Sequence, residues 1–121
     1  MLLPRISEIS AFLFQFKFFA QAVPGFSLIE RQKNIDSITA MGITIPQLKS
    51  VILKLTPKNY VSGPEEDVKY PEHYIWLFGY DFGGEEVYIK LSGNFSHGVA
   101  KCISFHKAEY PMRYPYSEEG E

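Results

Sequence analysis

The spacing of apolar residues changes at Tyr74, and this change constrains the fold more than any other feature of the sequence. Before Tyr74 the apolar residues recur at helical intervals, and after it they alternate with polar residues as in β-strands. Helices followed by an antiparallel meander are typical of α+β domains, in which helices cover one face of the sheet. We therefore predict a single α+β domain over residues 1–121, with N-terminal helices on a short antiparallel sheet and a flexible acidic tail at 117–121.

The first predicted helix runs from Ser7 to Ala22, with Ser7 as its N-cap and Pro24-Gly25 as its end. Phe14 and Phe18 lie off its apolar stripe, so they are either buried against a second surface or exposed to a partner. The other elements predicted before Tyr74 are an edge strand at Phe26 to Glu30, a helix capped by Asn34 or Asp36 and ending at Met41, a helix capped by Thr44, and a loop at Ser62 to Glu72.

Three strands are predicted in the second half, at Tyr74 to Phe82, Glu85 to Leu91 and Val99 to His106. Gly83-Gly84 joins the first two in a tight hairpin. If alternate residues of these strands face the helices, Tyr88 and Lys90 point to the open side of the sheet. Ile103 and Phe105 are then expected inside, with Cys102, Ser104 and His106 on the open side beside Tyr88 and Lys90.

A phenol, an ammonium and an imidazole on one surface match the needs of RNA cleavage without a metal. A base must take the 2′-hydroxyl proton, a cation must stabilise the charge on the phosphate, and an acid must protonate the leaving oxygen. We predict His106 as general acid or base, Lys90 and Arg113 as phosphate ligands, and Tyr88 as a hydrogen-bond donor or second proton-transfer group. Tyr88 and Lys90 are also ordinary residues for the solvated face of a sheet, and a single histidine at a strand end such as His106 is often a surface or hydrogen-bonding residue.

The charge distribution is compatible with a nucleic-acid ligand, although the net charge of −2 by itself counts against one. The acidic residues are concentrated in the segments 65–67 and 118–121, and the region 87–116 contains four cations and one acid. Of these cations, Lys101 and Lys107 are predicted to contact RNA phosphates.

Three tyrosines alternate with prolines near the end of the chain, at Tyr110, Tyr114 and Tyr116. They are interpreted either as an exposed surface on which unpaired bases stack, or as side chains that fold back over the sheet. Both interpretations fit the sequence equally well.

Cofactors and membranes are not expected. The chain has one cysteine, Cys102, which fits a reducing compartment, and His73 and His97 lack companions at metal-ligand spacing. The apolar segment Phe12 to Phe19 imitates part of a secretion signal, but it is interrupted by Lys17 and is far shorter than the ~20 residues that span a bilayer. We therefore expect a cytoplasmic protein with no metal, no cofactor and no membrane partner; binding of this segment to a membrane surface is a weaker alternative.

Several motifs resemble those of the motility quorum-sensing regulator (MqsR) toxin family. They are Arg31-Gln32-Lys33-Asn34, Met41-Gly42-Ile43-Thr44, Asn59-Tyr60-Val61-Ser62-Gly63-Pro64, Tyr74-Ile75-Trp76-Leu77-Phe78-Gly79, Glu86-Val87-Tyr88-Ile89-Lys90-Leu91, Ile103-Ser104-Phe105-His106 and Glu109-Tyr110-Pro111-Met112-Arg113-Tyr114-Pro115-Tyr116. The resemblance implies a RelE-like fold and a metal-independent endoribonuclease that cuts single-stranded mRNA and is neutralised by an antitoxin protein. It also implies that Tyr88 corresponds to the family's active-site tyrosine.

The chain departs from the family pattern at three positions. Val61 and Leu77 stand where the best-known branch has a lysine and a glutamine, and His106 stands where it has a lysine. A histidine can still act on a phosphate and adds a proton-transfer group. The two apolar replacements leave open a second hypothesis, in which the site has decayed and the domain binds a protein or RNA without cutting it.

Overall fold

A computed structural model describes residues 3–22 and 26–118. This part of the chain forms an α+β fold in which three helices pack with a five-stranded, mostly antiparallel sheet. The elements are α1 (Ile6–Gln21), β1 (Phe26–Leu28), α2 (Gln32–Met41), α3 (Ile45–Leu53), β2 (Tyr60–Glu66), β3 (Tyr74–Phe82), β4 (Glu85–Asn94) and β5 (Val99–Lys107). The strand order is β1-β5-β4-β3-β2, and of these five described strands only β1 runs parallel to its neighbour.

The hydrophobic core lies between the sheet and the helices. Helix α1 buries one stripe of side chains against the sheet, and Phe12 stacks on Trp76 with ring centroids 4.7 Å apart. Phe14 and Phe18, which lie off this stripe, are 73% and 62% exposed, so the surface alternative for these two rings is confirmed. We call the side of the sheet turned away from this core the open face; it carries Tyr88 on β4 and His106 on β5.

The predicted helices are confirmed, and α1 and α2 start earlier than predicted. Helix α1 begins after Arg5 rather than Ser7, because the Glu8 carboxylate accepts a hydrogen bond from the Arg5 backbone N–H at 2.7 Å. The predicted stop at Pro24-Gly25 lies outside the described residues, as do residues 119–121 of the predicted tail. Thr44 caps α3 as predicted, with its hydroxyl accepting from the Gln47 backbone N–H.

The prediction that Asn34 or Asp36 caps α2 is wrong. Both residues lie inside this helix, and Asn34 is fully buried. Its side-chain amide donates to the carbonyl oxygens of Ile29 and Ile103 at 2.8 and 2.9 Å. Its Oδ1 accepts from the Phe105 backbone N–H at 3.1 Å. Strand β1 pairs with β5 only as far as Cys102, so Asn34 supplies the hydrogen bonds that a longer β1 would have made. The side chain thereby anchors the start of α2 to β5.

The hairpin between β3 and β4 is confirmed, and Gly83 and Gly84 have positive φ angles of 62° and 92°, as a tight turn of this type requires. The predicted loop from Ser62 to Glu72 is wrong in its first part. Residues 60–66 form the edge strand β2, which pairs with β3 through two register shifts. Proline is tolerated there because an edge strand leaves some N–H groups unpaired.

The predicted position of Cys102 on the open face is also wrong. Lys90 pairs with Ser104, but Leu91 pairs with Cys102, so Ile103 is an extra residue that forms a bulge in β5. The bulge reverses the alternation of the strand, and Cys102 lies fully buried in the core while Ile103 is only partly buried. Burial raises the pKa of the Cys102 thiol.

Candidate active site

The predicted grouping of Tyr88, Lys90 and His106 is confirmed by the register of β4 and β5. Tyr88 pairs with His106, and their rings stack with centroids 4.8 Å apart and planes 11° from parallel. Lys90 pairs with Ser104 on the same face, and its ammonium lies 5.8 Å from the centroid of the Tyr88 ring. The phenol, the imidazole and the ammonium therefore form one cluster.

This cluster forms the floor of a cavity of about 200 Å³. The start of α2 and the segment after β5 form its walls, and its lining residues are Arg31, Lys33, Tyr88, Lys90, Ser104, His106, Glu109, Tyr110 and Met112. Besides His106, the described lining of the cavity contains three cationic side chains and one carboxylate. An anionic ligand is therefore favoured.

The hydrogen bonding of His106 determines which ring nitrogen is available for chemistry. The side chain is 7% exposed, and Nδ1 lies 3.0 Å from the backbone oxygen of Lys107. Because a carbonyl oxygen can only accept, Nδ1 must carry a hydrogen. In the neutral ring Nε2 is then the proton acceptor.

Sequence reasoning assigned no role to Arg31 and Lys33, the two cations at the start of α2. The guanidinium of Arg31 donates to the Ser104 hydroxyl at 3.0 Å, and the Lys33 ammonium lies 2.6 Å from a Glu109 carboxylate oxygen. Hydrogen bonding and charge from Lys33 lower the pKa of Glu109. Both cations belong to a motif that carries the family resemblance, but strand alternation could not bring a helix start to the open face.

The three tyrosines near the end of the chain follow both of the proposed interpretations. Tyr110 is 71% exposed and lines the cavity, as the stacking interpretation requires. Tyr114 packs over Gly79 and donates its hydroxyl hydrogen to Glu86 at 2.6 Å. Tyr116 donates to the backbone oxygen of Pro4 at 2.7 Å. The latter two thus fold back onto the domain.

The structure does not bring the other predicted RNA contacts into the cavity. Arg113 is exposed and lies outside the lining, although its neighbour Met112 belongs to it. The Lys101 ammonium lies 4.3 Å from the centroid of the Tyr70 ring. Lys107 forms an ion pair with Glu85 at 2.9 Å.

The two apolar departures from the family pattern lie in neighbouring strands. Leu77 pairs with Lys90, so it stands beside the cluster on the open face. Val61 is partly buried on β2. Among the described residues, no group of three or more His, Cys, Asp or Glu side chains is arranged to hold a metal ion. Within the same residues, no helix has the length and apolar character needed to cross a membrane.

Comparison of this chain with protein-family models, with curated proteins and with solved structures finds no match. Its function must therefore be inferred from the chemistry of the cavity.

Proposed function

We propose that this chain is a metal-independent endoribonuclease, and that it acts as the toxin of a toxin–antitoxin pair by cutting single-stranded mRNA. The observation that carries the proposal is the stack of Tyr88 on His106 beside Lys90, at the floor of a cationic cavity. A proton acceptor, a proton donor and a cation within one small cavity are what cleavage by the RNA's own 2′-hydroxyl requires.

In the proposed reaction, His106 Nε2 accepts the proton of the 2′-hydroxyl, whose oxygen then attacks the adjacent phosphorus. The bond from phosphorus to the 5′-oxygen breaks, and the Tyr88 hydroxyl donates a proton to that leaving oxygen. The products are a 2′,3′-cyclic phosphate and a free 5′-hydroxyl. The Nδ1–H bond to the Lys107 carbonyl supports the role of His106 as the base, because it leaves Nε2 as the acceptor.

The cations of the cavity stabilise the phosphate as its negative charge increases in the transition state. Lys90 lies beside the stacked rings, with its ammonium 5.8 Å from the centroid of the Tyr88 ring. Lys33 is already paired with Glu109, so its contribution to the ligand is smaller. Tyr110, which is exposed at the rim, offers a ring on which an unpaired base can stack.

The test is a cleavage assay with purified protein and message RNA in excess EDTA, with mapping of the RNA ends. His106→Ala and Lys90→Ala are each expected to lower the cleavage rate by about 100-fold or more, because each removes one group of the reaction. Lys54→Ala is the matched control, since it removes an exposed cation that does not line the cavity. Circular dichroism checks that the variants are folded. Cleavage that is equally fast in all of them would refute the proposal.

A second candidate function is binding of a protein or RNA without cleavage. The position of Leu77 beside Lys90 favours this second function. The leucine side chain cannot donate a hydrogen bond to a phosphate, whereas the glutamine at this position in the family that the sequence resembles can. Under this hypothesis growth inhibition and partner binding are unchanged by His106→Ala. The cleavage assay distinguishes the two functions directly.

The proposed partner is an antitoxin protein. Two features could engage it, namely the cationic cavity and the exposed rings of Phe14 and Phe18 on α1. Co-purification of this chain with the product of a neighbouring reading frame, followed by loss of RNA cleavage in the complex, is the expected result.

A further inference from the structure

Arg31 is held in position by a buried hydroxyl. Ser104 is 1% exposed, and its oxygen accepts a hydrogen bond from Arg31 Nη2 at 3.0 Å. An exposed arginine normally samples many rotamers, and this contact restricts it. A guanidinium has five N–H donors, so most of them remain available to a ligand in the cavity.

Arg31 and Lys90 define two separate cationic positions on the open face. The Lys90 ammonium is directed toward the Tyr88 ring, and thus toward the pair formed by Tyr88 and His106. Arg31 is bonded to Ser104, the β4 partner of which is Lys90, and the Cα of Ser104 lies two residues along β5 from that of His106, or roughly 7 Å at the rise of a strand. A phosphate bound at Ser104 and one bound at His106 would therefore be spaced on the scale of neighbouring phosphates of a single nucleic-acid strand.

The remaining charges around the cavity make Arg31 the stronger of the two cations at the start of α2. Lys33 is neutralised by Glu109 at 2.6 Å. The guanidinium of Arg31 has no carboxylate partner among the described residues, and its planar fork suits the oxygens of a phosphate. The site therefore offers unpaired positive charge at the stacked rings and again at Ser104.

We propose that Arg31, positioned by Ser104, forms a second phosphate subsite, so that the cavity binds two successive phosphates on either side of one nucleoside. This inference rests on the proposed function and specifies its substrate class. The phosphate that is cut lies at His106, Tyr88 and Lys90, and the neighbouring phosphate lies at Arg31. Substrate recognition then requires a nucleotide inside a strand, with a phosphate on both sides.

The test measures binding of small ligands that this site cannot cleave. Isothermal titration calorimetry would compare the four nucleoside 3′,5′-bisphosphates with the corresponding 3′- and 5′-monophosphates. We expect the wild-type chain to bind at least one bisphosphate about tenfold more tightly than either of its monophosphates. In Arg31→Ala this preference should fall to within twofold, and Arg31→Lys and Ser104→Ala should give intermediate values. Lys54→Ala should retain the wild-type preference.

The subsite is refuted if no bisphosphate binds, if wild type shows no preference for two phosphates, or if Arg31→Ala leaves the preference unchanged. Thermal unfolding of each variant shows that a lost preference does not arise from a lost fold. The RNA cleavage assay separates this inference from the proposed function. If the protein cleaves RNA but shows no Arg31-dependent preference for bisphosphates, only the second phosphate subsite is refuted. If it shows this preference but does not cleave RNA, the subsite is supported and the endoribonuclease function is refuted.

Discussion

Replacing Asn34 with alanine is expected to lower the free energy of unfolding by about 3 to 4 kcal/mol. The side chain is fully buried and makes three hydrogen bonds, two to carbonyl oxygens and one from the Phe105 N–H. Each contributes about 1 kcal/mol net, and removing the amide also leaves the buried Phe105 N–H and two partly buried carbonyl oxygens without this partner. Domains of this size are stable by only about 5 to 15 kcal/mol, so this one side chain matters for the whole fold.

The assay is urea unfolding followed by circular dichroism, with the slope of the transition checked against wild type. Gln32→Ala is the matched control in the same helix, because the bond of the Gln32 side chain to Asp36 is exposed to solvent, and it should cost no more than about 0.5 kcal/mol. Asn34→Asp should be at least as damaging as alanine, since it removes both donors and introduces a buried charge. If Asn34→Ala cost less than about 1 kcal/mol, Asn34 would not be the link between α2 and β5, and the positions of Arg31 and Lys33 would need another explanation.

Two further predictions concern buried or partly buried titratable side chains. Cys102 should react with iodoacetamide at least about 100-fold more slowly in the native protein than in urea, because the side chain is buried and the pKa of its thiol is raised. Mass spectrometry measures the alkylation. Fast alkylation of the native protein would show that Cys102 is exposed, as the sequence had predicted. Burial and the Glu86 carboxylate raise the pKa of Tyr114 above its ordinary 10.0, so the fold favours the protonated phenol and loses stability as the pH rises above about 10. Tyr114→Phe should lower the free energy of unfolding by about 1 kcal/mol at pH 7. Above pH 10 the free energy of unfolding should fall less steeply with pH in this variant than in wild type, and an equally steep fall in both proteins would contradict the prediction.

Much of the fold could be predicted because periodicity reports directly on burial. The hairpin strands and the inward stripe of α1 follow from local spacing, and so does the placement of Tyr88 and His106 on one face of the sheet. The bulge at Ile103 could not be predicted, because no residue pattern marks it and its effect appears only in the pairing with β4. Strand β2 was not predicted because Gly63 and Pro64 are turn formers and glutamate, present twice at its end, is uncommon in strands; an edge position tolerates these residues.

The candidate site was predicted as far as strand alternation reaches. The alternation of side chains along a strand identified Tyr88 and Lys90 on β4 and His106 on β5, because alternate residues of a strand share a face. Arg31 and Lys33 line the cavity because Asn34 holds the start of α2 against β5. The periodicity of apolar residues does not predict such a contact between residues that are distant in sequence. The folding back of Tyr114 likewise depends on the missing side chain of Gly79 and on Glu86, both distant in sequence.

The Asn34 side chain bonds to β5 where a longer strand β1 would have paired, and this also affects which surfaces of the domain can bind other proteins. Strand β1 has three residues, and Asn34 occupies the hydrogen-bonding groups of β5 that lie beyond it. At the opposite border β2 contains a proline and two breaks in register. Short, irregular or capped borders discourage edge-to-edge aggregation. Neither margin of the described sheet therefore offers a regular template to a strand from another protein, and binding by strand addition is disfavoured relative to contacts with the two faces.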